Sequence, residues 1–284
     1  MVVSTIAAEP RVAAPGRAPG VGTLRIVRGH SRSVAAHVYA TSPLRLLTPA
    51  NHGHAAWVFT SSFGGGLVDG DRLRLRVEVE EGASAYLSTQ ASTKVYKSPR
   101  GTTSGLRGSV APDALLIVAP DPVVCYADAR FAQVQEFDVA ASGGLVVLDW
   151  FTAGRHRRGE RWAFAHYEST LVIRLDGREV AHDVIALRTI DGSIADRFGR
   201  FAVMATVALA GGGMATEASS LLARAGNGSV TPRADELVAA APLAGGGCLI
   251  RIAGTSFQAV AASVRDFLDF VPVRLGDSPW DRKW

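Results

Sequence analysis

Cysteine is almost missing from this chain: Cys125 and Cys248 stand far apart, with no Cys-x-x-Cys spacing, in 284 residues. Two such thiols complete neither a structural zinc site nor a disulfide framework. Strong catalytic signatures are missing too, including the Gly-x-Ser-x-Gly elbow and the His-Glu-x-x-His helix. No run of about 18 apolar residues exists to span a bilayer. The N-terminus lacks the basic and continuous apolar regions of a signal peptide. The expected compartment is therefore the cytosol, with reduced thiols and no membrane contact. Charge of one sign is not in excess either, with 30 Lys and Arg against 26 Asp and Glu. A nucleic-acid binder carries a denser basic stripe. The nearest candidate, Arg155 to Arg161, is interrupted by Glu160 and has no aromatic platform, so it reads as a solvated hairpin tip. Aromatic residues are scarce at 7%, which leaves no platform for stacking sugars.

What the chain has in quantity is glycine, 30 residues, with few long helical patterns. That combination points to a turn-rich β protein. Hydrophobic residues at 48% and charged residues at 20% place it among ordinary soluble globular chains. Residues 1–22 are rich in Ala, Pro and Gly without periodicity and read as a disordered tail. Residues 23–284 read as a single β domain. Arg72 to Glu80 alternates strictly, with Leu73, Leu75, Val77 and Val79 on one face and Arg72, Arg74, Arg76, Glu78 and Glu80 on the other, as a half-buried strand does. Glu81-Gly82 ends it, and Ala83 to Thr89 is expected to return as its hairpin partner.

Further strands are expected around Leu24–Ile26, Val34–Tyr39, 114–119, 132–139, 144–151, 162–175, 201–209 and 247–252. Asp176-Gly177 is a hairpin turn signal between 171–175 and 179–185. Ala215–Ala225 and Ala234–Ala241 are candidate short helices, with Pro232 near a helix start. Phe257 to Phe270 makes a stronger helix, capped by Thr255 or Ser256. The fold class expected is mainly β, with one to three α-helices toward the C-terminal end.

Several stretches carry possible chemistry. Ser61 to Asp71 is glycine-rich, but it lacks the Gly-Lys-Ser/Thr of a phosphate loop. It is either a tight turn feeding the 72–80 strand or a place where backbone nears a partner or channel, with Asp71 facing it. Ser88 to Lys97 is polar on both faces. It is either an exposed edge blunted by Lys94 and Lys97, or the lining of a wet cleft through Thr89, Gln90, Thr93 and Lys94. Asp149 ends the apolar run Leu145–Leu148 and needs a partner or a polar interior. Asp149 and Glu160 form a weak acid/base candidate. His52-Gly53-His54 puts two imidazoles on one side if extended, and Cys125 is a softer metal candidate that is more often a small buried hydrophobe. The 256–270 segment has more apolar surface than one narrow stripe needs. Part of it, with Val264, Phe267 and Phe270, is expected to meet a helical partner.

Taken in order, Pro43-Leu44-Arg45-Leu46-Leu47, Gly64 to Leu73, Thr89 to Tyr96, Pro120-Asp121-Pro122-Val123, Asp149 to Arg155 and Gly159 to Phe164 resemble the signature blocks of the UreD/UreH family of urease accessory proteins. The likeness is close over about 40–190 and looser over 199–210 and 245–270. Asp69 stands where that family commonly has Gly, Cys125 where proline is expected, and the stretch before Pro120 lacks the usual Trp. The resemblance implies a helical stack of β-strands (β-solenoid-like) and no catalysis. It implies no tightly bound cofactor, only transient nickel(II). The implied partners are apo-urease, a UreF-type protein and, through that complex, a UreG-type GTPase. On this reading Asp71, Asp149, Glu160 and Cys125 mark a transient nickel path, and Thr89, Gln90, Thr93 and Lys94 line a tunnel or cleft. The rival is a cytosolic β-solenoid carbohydrate hydrolase using Asp71, Asp149 and Glu160.

Overall fold

The computed structural model describes residues 18–155, 158–226 and 231–282. The tail expected before residue 18 lies outside these residues, and Gly20–Gly22 already belong to a strand. Seventeen strands among the described residues, numbered β1 to β17 along the chain, form two sheets. The first holds β1 (Gly20–Arg28), β2 (Ser33–Ala40), β5 (Arg72–Val79), β8 (Thr102–Val110), β11 (Arg130–Val139), β13 (His166–Leu175) and β14 (Arg178–Arg188), in the order β14-β13-β11-β8-β5-β1-β2. The second runs β16-β17-β15-β12-β9-β6-β4-β3. Its members are β3 (Leu44–Leu47), β4 (Ala56–Ser62), β6 (Ser84–Thr89), β9 (Leu115–Val118), β12 (Gly144–Thr152), β15 (Val203–Ala210), β16 (Glu236–Leu243) and β17 (Gly247–Gly254). The short strands β7 (Thr93–Val95) and β10 (Val123–Cys125) pair with each other, and β10 also pairs with β12.

Between β4 and β13 the chain passes back and forth between the sheets. Each pass adds a parallel strand, giving β5, β8, β11 and β13 in the first sheet and β4, β6, β9 and β12 in the second. This corrects the hairpin expected at Glu81-Gly82. The turn is there, with Gly82 at φ +64°, but it carries the chain to the opposite sheet. There β6 lies parallel to β4 and β9, and β5 pairs with β1 and β8 instead. The expected hairpin at Asp176-Gly177 is present, joining β13 and β14 antiparallel. The strand expected from 162 starts only at His166, because Trp162 holds a left-handed φ of 55° that breaks extended backbone. Arg155–Arg161 is no hairpin tip, since it links β12 and β13, which lie in different sheets; His156 and Arg157 lie outside the described residues.

Apolar alternation sets the layers. Leu75, Val77 and Val79 of β5 face inward and join Phe137, Leu145 and Val147 in the core between the sheets. β12 is buried on both faces, as a strand between two layers must be. Its other face, with Val146, Leu148 and Trp150, packs with Val260 and Val264 of helix α3 (Phe257–Phe267), which follows α1 (Ile194–Phe198) and α2 (Ala215–Gly226) and precedes α4 (Val271–Leu275). The helix expected over Ala234–Ala241 is a correction: those residues are largely β16, the edge strand paired antiparallel to β17. Alanine favours helix intrinsically, but pairing with an already formed strand outweighs so small a preference. No described helix is long and apolar enough to cross a membrane.

Candidate functional site: a polar cavity between the sheets

β9 ends at Val118 and the chain reaches β10 through Pro120, Asp121 and Pro122. Proline cannot donate to a strand ladder, so the second sheet is interrupted there and a gap opens toward the first. A cavity of about 120 Å³ occupies the gap, with room for several waters. Its polar lining comes from Thr89, Thr93, Asp121, Gln133, Gln135 and Asp149. A neighbouring cavity of about 160 Å³ shares Thr60, Thr89 and Thr93 and adds Ser61, Ser62, Gln90 and Ser92. The twice-polar stretch after β6 therefore lines both spaces.

Asp149 sits in β12, a strand buried on both faces, and points toward the first sheet. The Ser169 hydroxyl of β13 donates to Oδ2 at 2.5 Å, and the Gln133 amide of β11 donates to Oδ1 at 2.8 Å. The same amide contacts the Ser169 oxygen at 2.9 Å, which closes the triangle. Burial holds the Asp149 carboxyl above the usual carboxylate range, against the two hydrogen bonds that favour its charge. Across the cavity the backbone N–H of Asp121 donates to the Thr89 hydroxyl at 2.8 Å, and that hydroxyl donates to Asp121 Oδ2 at 3.3 Å.

The other residues named from sequence lie elsewhere. Asp71 is buried and accepts the Val68 N–H at 2.9 Å, fixing the turn into β5; it lines neither cavity. Lys94 is exposed on β7. Glu160 accepts two bonds from the Arg155 guanidinium, to Oε2 at 2.8 Å and to Oε1, and the Ala127 N–H at 3.2 Å. Arg155 holds its carboxyl below the usual range and itself lies 4.1 Å over the Tyr126 ring. Cys125 is enclosed with Phe131, Phe151, Trp162 and Tyr167, and burial pushes its thiol well up. His52 and His54 are not on an extended strand: His52 takes Asp277 through its backbone N–H at 2.9 Å, and His54 packs against Gly276. Asp71, Asp149 and Glu160 thus occupy three separate settings, a turn, an inter-sheet network and an ion pair, and do not face one another as an acid/base set. Among the described residues, no group of three or more His, Cys, Asp or Glu side chains is placed to hold a metal ion.

The face of α3 expected to meet a partner is also placed differently. Val264 is 0% exposed and Phe267 8% in the chain's own core, with Phe270 half-buried beside them. The large side chains cover β15 and β17 together with Ala218 and Leu221 of α2. Sequence reading missed Asp121, Gln133 and Ser169. A signal existed for Gln133: Phe131, Gln133, Gln135 and Phe137 share one face of β11, two amides set within an apolar alternation.

Comparison with known proteins gives one consistent answer. The family model described as UreD urease accessory protein matches residues 18–284. A urease accessory protein UreD of Sorangium cellulosum is 45% identical over 265 residues, covering 93% of this chain and 84% of that one. One of Anaeromyxobacter is 41% identical over 272 residues, covering 94% and 90%. A urease accessory protein D of Oryza sativa subsp. indica is 39% identical over 210 residues, covering 72% and 69%.

Proposed function

The chain belongs to the UreD urease accessory protein family, and we propose that it is a cytosolic scaffold that bridges apo-urease to a complex of UreF-type and UreG-type proteins and helps deliver nickel to the urease active site. Membership in the family makes it an accessory factor of urease maturation and not an enzyme. The winding of β4 to β13 supports reading the fold as the helical stack of strands that the family implies.

The observation that carries the nickel reading is the cavity between the sheets, mostly apolar in its walls, into which Asp149, Asp121, Thr89 and Thr93 bring polar groups. Hydroxyls, amides and carboxylates gathered between two apolar cores are costly unless hydrogen-bonded or hydrated. Nickel accepts oxygen ligands, and one carboxylate without a full ligand set binds it weakly, which suits transit rather than storage. Asp149 and Asp121 are the two carboxylates on this route, with Thr89 and Thr93 as hydrated lining. Cargo nickel competes with the proton that burial favours on Asp149, so release is built into the same group.

The test has two arms. Deleting the gene is expected to leave apo-urease expressed but nearly free of nickel, measured by metal analysis of purified urease. Asp149→Asn keeps size and the bond accepted from Gln133, turns the Ser169 contact round so that the amide donates, and removes the anionic ligand. It is expected to preserve partner co-purification while lowering nickel per urease. Normal nickel content in the deletion strain would end the assignment. Normal loading by Asp149→Asn would leave an adaptor without a metal path, the reading favoured by the absence of any three-ligand group among the described residues.

A further inference from the structure

β5, β8, β11 and β13 run parallel and begin at the same end of the first sheet. There a cleft of about 520 Å³ opens, separate from the internal cavity except for the shared wall residue Phe131. Arg72, Arg100, Arg130, Thr103 and His166 line it. Register places Arg72 beside Thr103 and Arg130 beside His166.

Its charge is unbalanced. Arg100 is fixed by Asp69, which accepts its backbone N–H and its Nε at 2.8 Å each. The guanidinium lies against Gly70, where a β-carbon would come within 3.2 Å. Among the described residues, the side chains of Arg72 and Arg130 make no ion pair. The other nearby carboxylates are committed: Asp128 to Lys97 at 2.8 Å, Asp71 to the Val68 turn, and Glu168 to Arg188 at 3.2 Å. The His166 Nε2 stands 3.4 Å from Glu168 without a hydrogen bond. Three guanidiniums therefore share one carboxylate in a cleft, which leaves a positive field there that favours an incoming anion.

The size and spacing select the anion. β5 and β11 are two strands apart, roughly 10 Å between backbones, so a chain laid across the strand starts can offer a separate acidic side chain to each of the two uncommitted guanidiniums. An extended chain presents same-face side chains roughly 7 Å apart, and each arginine fork matches a carboxylate in two-point contact. We propose that Arg72, Arg100, Arg130 and His166 form a docking cleft for an extended acidic segment of a partner protein. Asp69 pre-orients one of the three guanidiniums. The cleft stands apart from the nickel route and does not depend on it.

The experiment uses the full chain, a short labelled poly-Glu peptide, its poly-Gln counterpart, and fluorescence anisotropy. Poly-Glu is expected to bind in a salt-sensitive manner and poly-Gln not to bind. Arg72→Gln and Arg130→Gln should each weaken poly-Glu roughly tenfold, while Arg178→Gln, at the far end of the same sheet, leaves it unchanged. Both cleft arginines are exposed, so the variants should melt with the parent. In the unmodified chain, poly-Glu should slow hydrogen exchange at the strand starts near 72, 101–103 and 130–132. Poly-Glu affinity that survives the double substitution, or protection confined to other regions, overturns the proposal. Pyrophosphate that displaces poly-Glu at lower concentration than poly-Glu itself binds overturns it in favour of a phosphate site.

Discussion

The Ser169 hydroxyl of β13 donates to the Asp149 carboxylate of β12 at 2.5 Å, joining the two sheets through a polar bond inside an otherwise apolar interior. Gln133 completes the contact from β11. Burying a carboxylate is tolerable only with such partners, and here three strands supply the carboxylate and its two donors.

This arrangement fixes a pH dependence. Burial raises the Asp149 ionisation in the folded state, so the native chain holds this proton at pH values where the unfolded chain has released it. The site's contribution to stability is full below the unfolded carboxylate range and is lost as pH rises through the folded value. Asp149→Asn cannot lose a proton. Its stability relative to the parent should rise as pH climbs above about 4, the ordinary carboxylate value, read as urea midpoints of both proteins at each pH. A difference that stays constant as pH climbs would mean the carboxyl titrates normally. Asp149→Ala is a different experiment, since it strands the Ser169 and Gln133 donors at roughly 1–3 kcal/mol for each orphaned group.

The apolar face of α3 gives a second prediction. Val264 and Phe267 close the helix side of β15 and β17, so truncation leaves a cavity. Phe267→Ala should cost about 3–5 kcal/mol, and Val264→Asp should unfold the isolated chain by burying an unpaired charge. Urea denaturation checks both. A stable Val264→Asp protein that merely lost a binding partner would return this face to the role of an interface.

How much of this was legible beforehand depends on which contacts are local. The 72–80 alternation, the Asp176-Gly177 hairpin and the helix from Phe257 are written in nearby residues and are present, although the helix expected to reach Phe270 ends at Phe267 and the Ser256 side chain makes no capping bond. The partner of β6 was not legible, because Glu81-Gly82 is the same turn signal whether the chain folds back or crosses to the other sheet. β16 was misread because an alanine run speaks for helix until β17 offers it a ladder. In the site, Thr89, Thr93 and Asp149 were recognisable as polar residues in unusual company. Asp121 was not singled out, since its role arises only where two prolines interrupt the sheet beside Thr89. Asp71 and Glu160 looked equally chemical, yet their local partners, the Val68 N–H and Arg155, occupy them.

Cys125 supplies a third prediction. Metal binding and alkylation both need thiolate, and burial pushes the Cys125 thiol well up and that of Cys248 up to about 11. Neither cysteine should react with a disulfide reagent in the native protein, and both should react in urea. Cys125→Ala should leave nickel delivery to urease unchanged, measured as metal per purified enzyme. A fall in nickel with an unaltered urea midpoint would put Cys125 back on the route.

The last prediction concerns Gly66, which lets the segment 67–68 lie along β7. The Leu67 N–H donates to the Lys94 carbonyl at 2.8 Å, and the Tyr96 N–H to the Leu67 carbonyl at 2.9 Å. Leu67 forms a wall of both cavities. A β-carbon on Gly66 would come within 2.6 Å of the Lys94 carbonyl oxygen and 2.8 Å of the Tyr96 ring. The first of these is backbone and cannot rotate aside. Gly66→Ala should therefore destabilise the chain by about 1–3 kcal/mol and speed hydrogen exchange at the Leu67 and Tyr96 amides. Gly64→Ala separates this contact from simple backbone strain. Gly64 has φ +80° with nothing within 4 Å of a β-carbon, so alanine there meets only the left-handed penalty of about 1–2 kcal/mol. It should lower the urea midpoint without accelerating exchange at Leu67 and Tyr96. Equal acceleration in both variants would show that the whole 64–66 turn, rather than the close approach at Gly66, holds the cavity wall in place.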